Sequence, residues 1–221
     1  MLGCETRTAE PEPDALVQTL VAPPQPEPLF DGQSLDGWES TSYGGEGEIT
    51  VQDGALVIGV GDMLSGVTTT RDDYPTMDYE IELEAMKASG IDFFCGLTFP
   101  VDQSHCSLIV GGWAGTVVGF SCIDGADASE NKTSISRKFE KDQWYKIKLR
   151  VQSSELKAWI DDELVITQDI DGREVAVRND ADPSCPLGFC AFQTEAHLRN
   201  IKLTRIEPVP STDSEADESQ N

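Results

Sequence analysis

The sequence predicts an all-β fold, a two-sheet antiparallel jelly-roll sandwich, and three observations carry that prediction. First, residues 143–167, QWYKIKLRVQSSELKAWIDDELVIT, alternate apolar and polar side chains. Tyr145, Ile147, Leu149 and Val151 face one way and Lys146, Lys148, Arg150 and Gln152 the other, the period of a half-buried strand. After the polar break at 153–155 the alternation resumes with Leu156, Ala158 and Ile160. Asp161-Asp162 then turns the chain into a third strand carrying Leu164 and Ile166. Second, no segment sustains a helical period. Third, about a dozen short β-rich runs are separated by turn residues, the spacing of a sandwich. A meander with one apolar face also requires a second sheet laid over it.

The remaining elements follow in order. LFDGQSLDGW at 29–38 opens the body with two turns and an apolar clasp of Leu29, Phe30, Leu35 and Trp38. Asp53-Gly54, between 49–51 and 55–60, is the strongest hairpin signal. A strand is expected over 63–70, ending at Arg71-Asp72-Asp73. Over 78–86 Tyr79, Ile81, Leu83 and Ala85 alternate with Asp78, Glu80, Glu82 and Glu84. That acidic row reads as a water-facing side of a strand, because alternate residues share one face and nothing apolar accompanies them. Residues 91–122 hold three β-rich runs broken by Gly96, Gly111, Gly112, Gly115 and Gly119; glycines inside strands mark bulges or close approaches to the backbone. A long polar excursion spans 169–186, and 187–193 and 198–206 supply the last strands.

One domain of this class fits 221 residues. The ordered body is expected over 29–207. A Pro/Glu/Ala-rich tether is expected over 1–28 and an acidic, Pro/Ser-rich tail over 208–221, both without enough apolar surface to fold. The formal net charge of −24 argues against nucleic acid and anionic membrane as partners. Membrane attachment is expected only through the N-terminus. Met1-Leu2-Gly3-Cys4 resembles the end of a bacterial lipobox, which implies lipidation at Cys4 with the tether beyond it; the alternative is a chance match of four residues. Cys95, Cys106, Cys122, Cys185 and Cys190 show no C-x-x-C pair, so thiolate zinc is not expected. Cys95 with Cys106, or Cys185 with Cys190, would suit a disulfide, and all five would equally serve as small buried hydrophobes.

Several side chains carry candidate chemistry. Asp92 is an acid inside an otherwise apolar run, costly unless paired, exposed or functional. His105 and His197 are the two histidines; each reads either as an ordinary hydrogen-bonded residue or as a base. Trp113 and Trp159 suit either sugar stacking or the filling of a sheet face. In the loop 123–134, Asp124, Asp127, Glu130 and Asn131 offer oxygen ligands for calcium, although the spacing is not that of an EF-hand and a plain acidic turn explains it as well.

Four stretches occur in order at suitable spacing: LFDGQSLDGW, VQDGALVIG, WYKIKLRVQSSELKAWIDDELV and LRNIKL. Together they resemble the 3-keto-disaccharide hydrolase domain family over nearly the whole body. The resemblance implies a concanavalin A-like jelly roll of the lectin/glucanase type, an exported protein of the bacterial cell envelope, and a carbohydrate ligand. It also implies cleavage of a glycosidic bond in a sugar oxidised at its 3-position. A 3-keto group acidifies the C2 hydrogen, so a base expels the anomeric substituent by elimination and water adds back. The family's Arg after the first central strand and its Glu-x-Gln strand are replaced here by Phe93-Phe94-Cys95-Gly96 and Ser107-Leu108-Ile109-Val110. Gln193 matches a family Gln, and His197 is the approximate counterpart of a family His. The expected catalytic set is Asp92, Glu195, His197 and Arg199, with Trp113, Trp159 and Gln193 on the substrate and a divalent cation as candidate cofactor. The competing expectations are a non-catalytic carbohydrate-binding module and a structural or adhesion domain at the cell surface.

Overall fold

The computed structural model describes residues 24–208, and within them fifteen strands build two antiparallel sheets. One sheet runs β13 (Glu163–Asp169), β12 (Glu155–Ile160), β11 (Trp144–Val151), β6 (Tyr79–Gly90), β15 (Thr194–Arg205), β4 (Ala55–Ile58), β3 (Ile49–Gln52), with β1 (Glu27–Pro28) paired to β15. The other runs β10 (Ile135–Ser136), β9 (Val117–Ser121), β8 (Ser104–Gly111), β7 (Cys95–Val101), β14 (Gly188–Phe192), β5 (Leu64–Thr69), β2 (Trp38–Ser40). The two sheets form the expected jelly-roll sandwich. β1 brings Glu27 and Pro28 into the sheet, two residues ahead of the expected start. Cys4, most of the tether and most of the tail lie outside the described residues.

Alternation dictates the core. Tyr145, Ile147, Leu149 and Val151 of β11 pack with Ile81, Leu83 and Ala85 of β6 and with Ala196, Leu198 and Leu203 of β15. Against them lie Leu97 and Phe99 of β7, Leu108 and Val110 of β8, Phe120 of β9 and Phe189 of β14. The hairpin at Asp53-Gly54 forms with both residues at positive φ, 50° and 78°, and Asp161-Asp162 does likewise at 52° and 65°. These are the backbone values a two-residue hairpin turn requires. The clasp closes as expected: Trp38 donates its indole N–H to the Leu29 carbonyl at 2.8 Å and sets its ring 5.4 Å from that of Phe189.

Two expectations need correcting. Leu164 is 49% exposed instead of buried, because a register irregularity between Ala158 and Trp159 sets it opposite Trp159 on the outer face. Neither cysteine pair forms a disulfide. Cys95 lies across from Val110 and Cys106 across from Phe99, so the hairpin register keeps them apart, and all five described cysteines are free thiols. Glu80, Glu82 and Glu84 of the acidic row are half-buried on the outer face, while Asp78 ahead of them keeps its Oδ1 buried; the row is matched strand to strand, Glu80 with Arg150 at 2.6 Å and Glu84 with Arg199 at 2.6 Å.

One buried polar bond ties the layers. The fully buried Tyr79 of β6 donates its hydroxyl to the Pro100 carbonyl of β7, 2.6 Å away in the other sheet. Tyr79→Phe would leave that carbonyl unpaired in the core. Urea unfolding is expected to show a loss of about 1–2 kcal/mol; unchanged stability would mean the bond contributes nothing net.

Candidate functional site

Strands of the seven-stranded sheet carry apolar residues at both parities. On β8, Cys106, Leu108 and Val110 enter the core while Ile109 points outward; on β14, Phe189 and Ala191 go in while Phe192 goes out. A strand covered on both faces reads as a continuous apolar run. What covers the outer face is the excursion between β13 and β14, ending in a 3-10 turn, Asp182–Ser184. It is fastened by Thr68, which donates to the Pro183 carbonyl at 3.0 Å, by the Tyr43–Ser184 hydroxyl pair, and by Arg178 against Asp127 at 2.9 Å.

Between this cover and the turn after β8 lies a pocket of about 280 Å³. It is lined by Leu64, Asp92, Phe93, Ser107, Ile109, Trp113, Ser121, Arg178, Asp180, Ala181, Cys190 and Phe192. Phe93 and Phe192 sit with ring centroids 6.0 Å apart and form one wall. Ser107 is tied to Thr98 at 2.9 Å. Burial pushes the Cys190 thiol up to about 12, so it is a neutral wall atom and not a nucleophile.

Asp92 builds the rim. Its Oδ1 accepts the backbone N–H groups of Phe93 at 2.9 Å and Trp113 at 3.1 Å, and its Oδ2 accepts that of Ala114 at 2.9 Å. These bonds hold the turn Gly112–Gly115 in a left-handed course, with φ of 47° at Trp113 and 66° at Ala114. Gly111 just before it and Gly115 at its end stand at 82° and 93°, values that only glycine takes without strain. A non-glycine pair at positive φ costs energy that something must offset, and the carboxylate is that something. The outcome is Trp113, 37% exposed, at the pocket mouth.

The expected site residues therefore divide. Asp92 and Trp113 meet at the pocket. Glu195, His197 and Arg199 do not join them: on β15 they alternate with core residues Ala196 and Leu198, which turns them onto the outer face of the eight-stranded sheet. There His197 Nε2 lies 3.0 Å from Glu195 Oε1, and Arg199 stacks 3.9 Å above the Trp144 ring. Trp159 is on the same outer face, with Lys148 at 4.4 Å and Arg150 at 5.3 Å over its ring, so a sugar platform there is already occupied by cations. Gln193 donates to the Asp62 carbonyl at 2.9 Å, holding the β14–β15 link beside the pocket instead of lining it.

The four calcium candidates do not converge. Asp124 is paired with Arg173 at 2.6 Å, which holds its carboxyl below the usual range, and Asp127 with Arg178 and Ser129. Asn131 bonds the Phe120 and Ala126 carbonyls and Thr133, and Glu130 joins no cluster; among the described residues no three acidic, His or Cys side chains gather as a metal site. The loop is an arginine-neutralised acidic turn. Sequence reasoning missed Phe93, Ile109, Phe192, Arg178 and Asp180. The two-parity apolar runs CSLIV and GFCAF were the available signal for Ile109 and Phe192.

Two variants test this construction. In Asp92→Asn the amide nitrogen would face a backbone N–H, so a loss of about 1–2 kcal/mol in urea unfolding is expected, with a shift in Trp113 emission; unchanged stability would show that the carboxylate does not hold the turn. His105, on the covered face of β8, has its imidazole pKa lowered by burial, with Asp182 opposing. The folded state thus binds that proton less readily than the unfolded chain, and the contribution present above 6.5 is lost as pH falls below it. Wild type is expected to lose more stability than His105→Gln between about pH 7 and about pH 5; parallel curves would contradict this.

Solved structures with this fold include three of known character. The carbohydrate-binding module CBM66 from Bacillus subtilis aligns with TM-score 0.52 at 15% identity, over 76% of this chain and 95% of that one. Domain 4 of AbnA, a GH43 extracellular arabinanase from Geobacillus stearothermophilus in complex with arabinotriose, gives 0.51 at 15%, over 78% and 84%. Apo Crh5 transglycosylase gives 0.52 at 16%, over 86% of each. No curated protein matches the sequence. The model of the 3-keto-alpha-glucoside-1,2-lyase-like domain matches residues 25–204, most of the body that holds both sheets and the pocket, and the chain belongs to that family.

Proposed function

We propose that this protein is carbohydrate-active and takes a 3-keto-glycoside at the pocket on the seven-stranded sheet. The observation that carries the reading is Trp113, raised on a left-handed turn to the mouth of a cleft whose rim also bears Arg178 and Asp180. An exposed indole face beside charged hydrogen-bonding groups is what a pyranose ring requires. Family membership supports the 3-keto substrate, and the fold it shares with an arabinotriose-binding domain agrees with a sugar ligand.

The pocket residues suggest how elimination would run. Asp92 accepts three backbone N–H groups that hold the Trp113 turn, so in this reading it positions. Asp180 is the exposed carboxylate at the rim, its two oxygens on the Arg178 side chain at 3.2 and 3.3 Å. In this reading Asp180 takes the C2 proton and the electron pair moves onto the 3-keto oxygen as an enolate. The enolate collapses to the ketone, the C1–C2 double bond forms as the anomeric C–O bond breaks, the proton on Asp180 passes to the leaving oxygen, and water adds across the double bond. The Arg178 guanidinium, held charged by Asp180, stabilises the enolate oxygen. Export to the bacterial envelope with a lipid on Cys4 would place this activity outside the cytoplasm.

The second reading, a non-catalytic binding module, is favoured by one observation: Glu195, His197 and Arg199 lie on the opposite side of the sandwich from the pocket. Incubation with methyl 3-keto-glucoside, whose cleavage gives 3-keto-glucose and methanol, separates the two. Release of 3-keto-glucose is expected from wild type and from His197→Gln. Asp180→Asn is expected to fall about 10²–10⁴-fold. Binding without release establishes the module; activity lost in His197→Gln and kept in Asp180→Asn would put the chemistry on the other face.

A further inference from the structure

The pocket is too apolar for a second sugar. Below the Trp113 rim its walls are Leu64, Phe93, Ile109 and Phe192, and the charged groups Arg178 and Asp180 belong to the exposed cover. A pyranose pushed to that depth would lose water from hydroxyls that find mostly hydrocarbon, which is unfavourable. Hydroxyls do lie among the lining residues, at Ser107 and Ser121, but both are almost fully buried and Ser107 is already bonded to Thr98. A volume of about 280 Å³ suits a single ring system.

We infer that the pocket seats an apolar aglycone, aryl or cyclic alkyl, so that the substrate is a glycoside of a hydrophobic alcohol and not a disaccharide. This rests on the glycoside reading above and adds the identity of the leaving group. The sugar lies at the mouth against Trp113, within reach of Arg178 and Asp180, and the aglycone points down between the Phe93–Phe192 wall and Ile109. Shape and wetting divide the ligand: the polar half stays where water and charge are, and the apolar half goes where neither is.

Isothermal titration of the full chain with three probes tests this: methyl 3-keto-glucoside, benzyl 3-keto-glucoside and benzyl alcohol. The two glycosides differ in apolar surface and little in leaving-group acidity. The benzyl compound is expected to bind at least about tenfold tighter than the methyl one, the scale set by burying one ring. Phe192→Ala, its fold checked by circular dichroism, is expected to erase that gain. If that variant does not fold, competition in wild type replaces it, with benzyl alcohol expected to reduce affinity for the benzyl glycoside and not for the methyl one. Equal affinities, a gain that survives Phe192→Ala, or no competition overturns the inference. A benzyl glycoside that binds no tighter than benzyl alcohol supports the apolar seat and overturns the glycoside reading, and no binding of any probe overturns both.

Discussion

The seven-stranded sheet is buried on both of its faces, and the candidate site follows from that constraint. Its inner face packs against the eight-stranded sheet through Leu97, Phe99, Leu108, Val110 and Phe189. Its outer face carries Ile109 and Phe192, which water alone would leave exposed at a cost. The chain answers by folding the excursion after β13 back over that face and fastening it through Thr68, Ser184 and Arg178. The cover is incomplete, and the gap it leaves is the pocket.

The eight-stranded sheet shows the opposite solution. Its outer face is wet and charge-matched, with Glu80 and Glu84 on β6 meeting Arg150 on β11 and Arg199 on β15. Trp144 and Trp159 lie under cations there and shield the stems of those long side chains. One sandwich thus presents two unlike exteriors, a solvated ladder on one side and an apolar cleft on the other. Chemistry that needs water excluded has only the second available.

How much of this was readable beforehand depended on range. Strand alternation, the Asp-Gly and Asp-Asp turns and the Trp38 clasp are local signals, and each led to its element. The family resemblance likewise led to the right domain. The site was harder. Asp92 stood out as an acid among apolar neighbours, yet its role as acceptor for the N–H groups of Trp113 and Ala114 depends on a turn some twenty residues away. His197 and Arg199 looked like site residues because they lie beside the LRNIKL motif, but parity on β15 sends both to the far face. Arg178 and Asp180 sat in a stretch that read only as polar, since nothing in a loop's composition tells which sheet it will cover. The acidic loop 123–134 resembled a cation site until Arg173 and Arg178, some fifty residues on, proved to be its counter-ions.

The central claim is that ligand enters on the seven-stranded side. Hydrogen–deuterium exchange with and without a saturating 3-keto-glycoside tests it most directly, because the two exteriors are carried by different peptides. Protection is expected at 92–96, 111–115 and 178–181, with β11 and β15 unchanged. Protection confined to β11, β12 and β15 would place the ligand on the charged ladder and contradict the account.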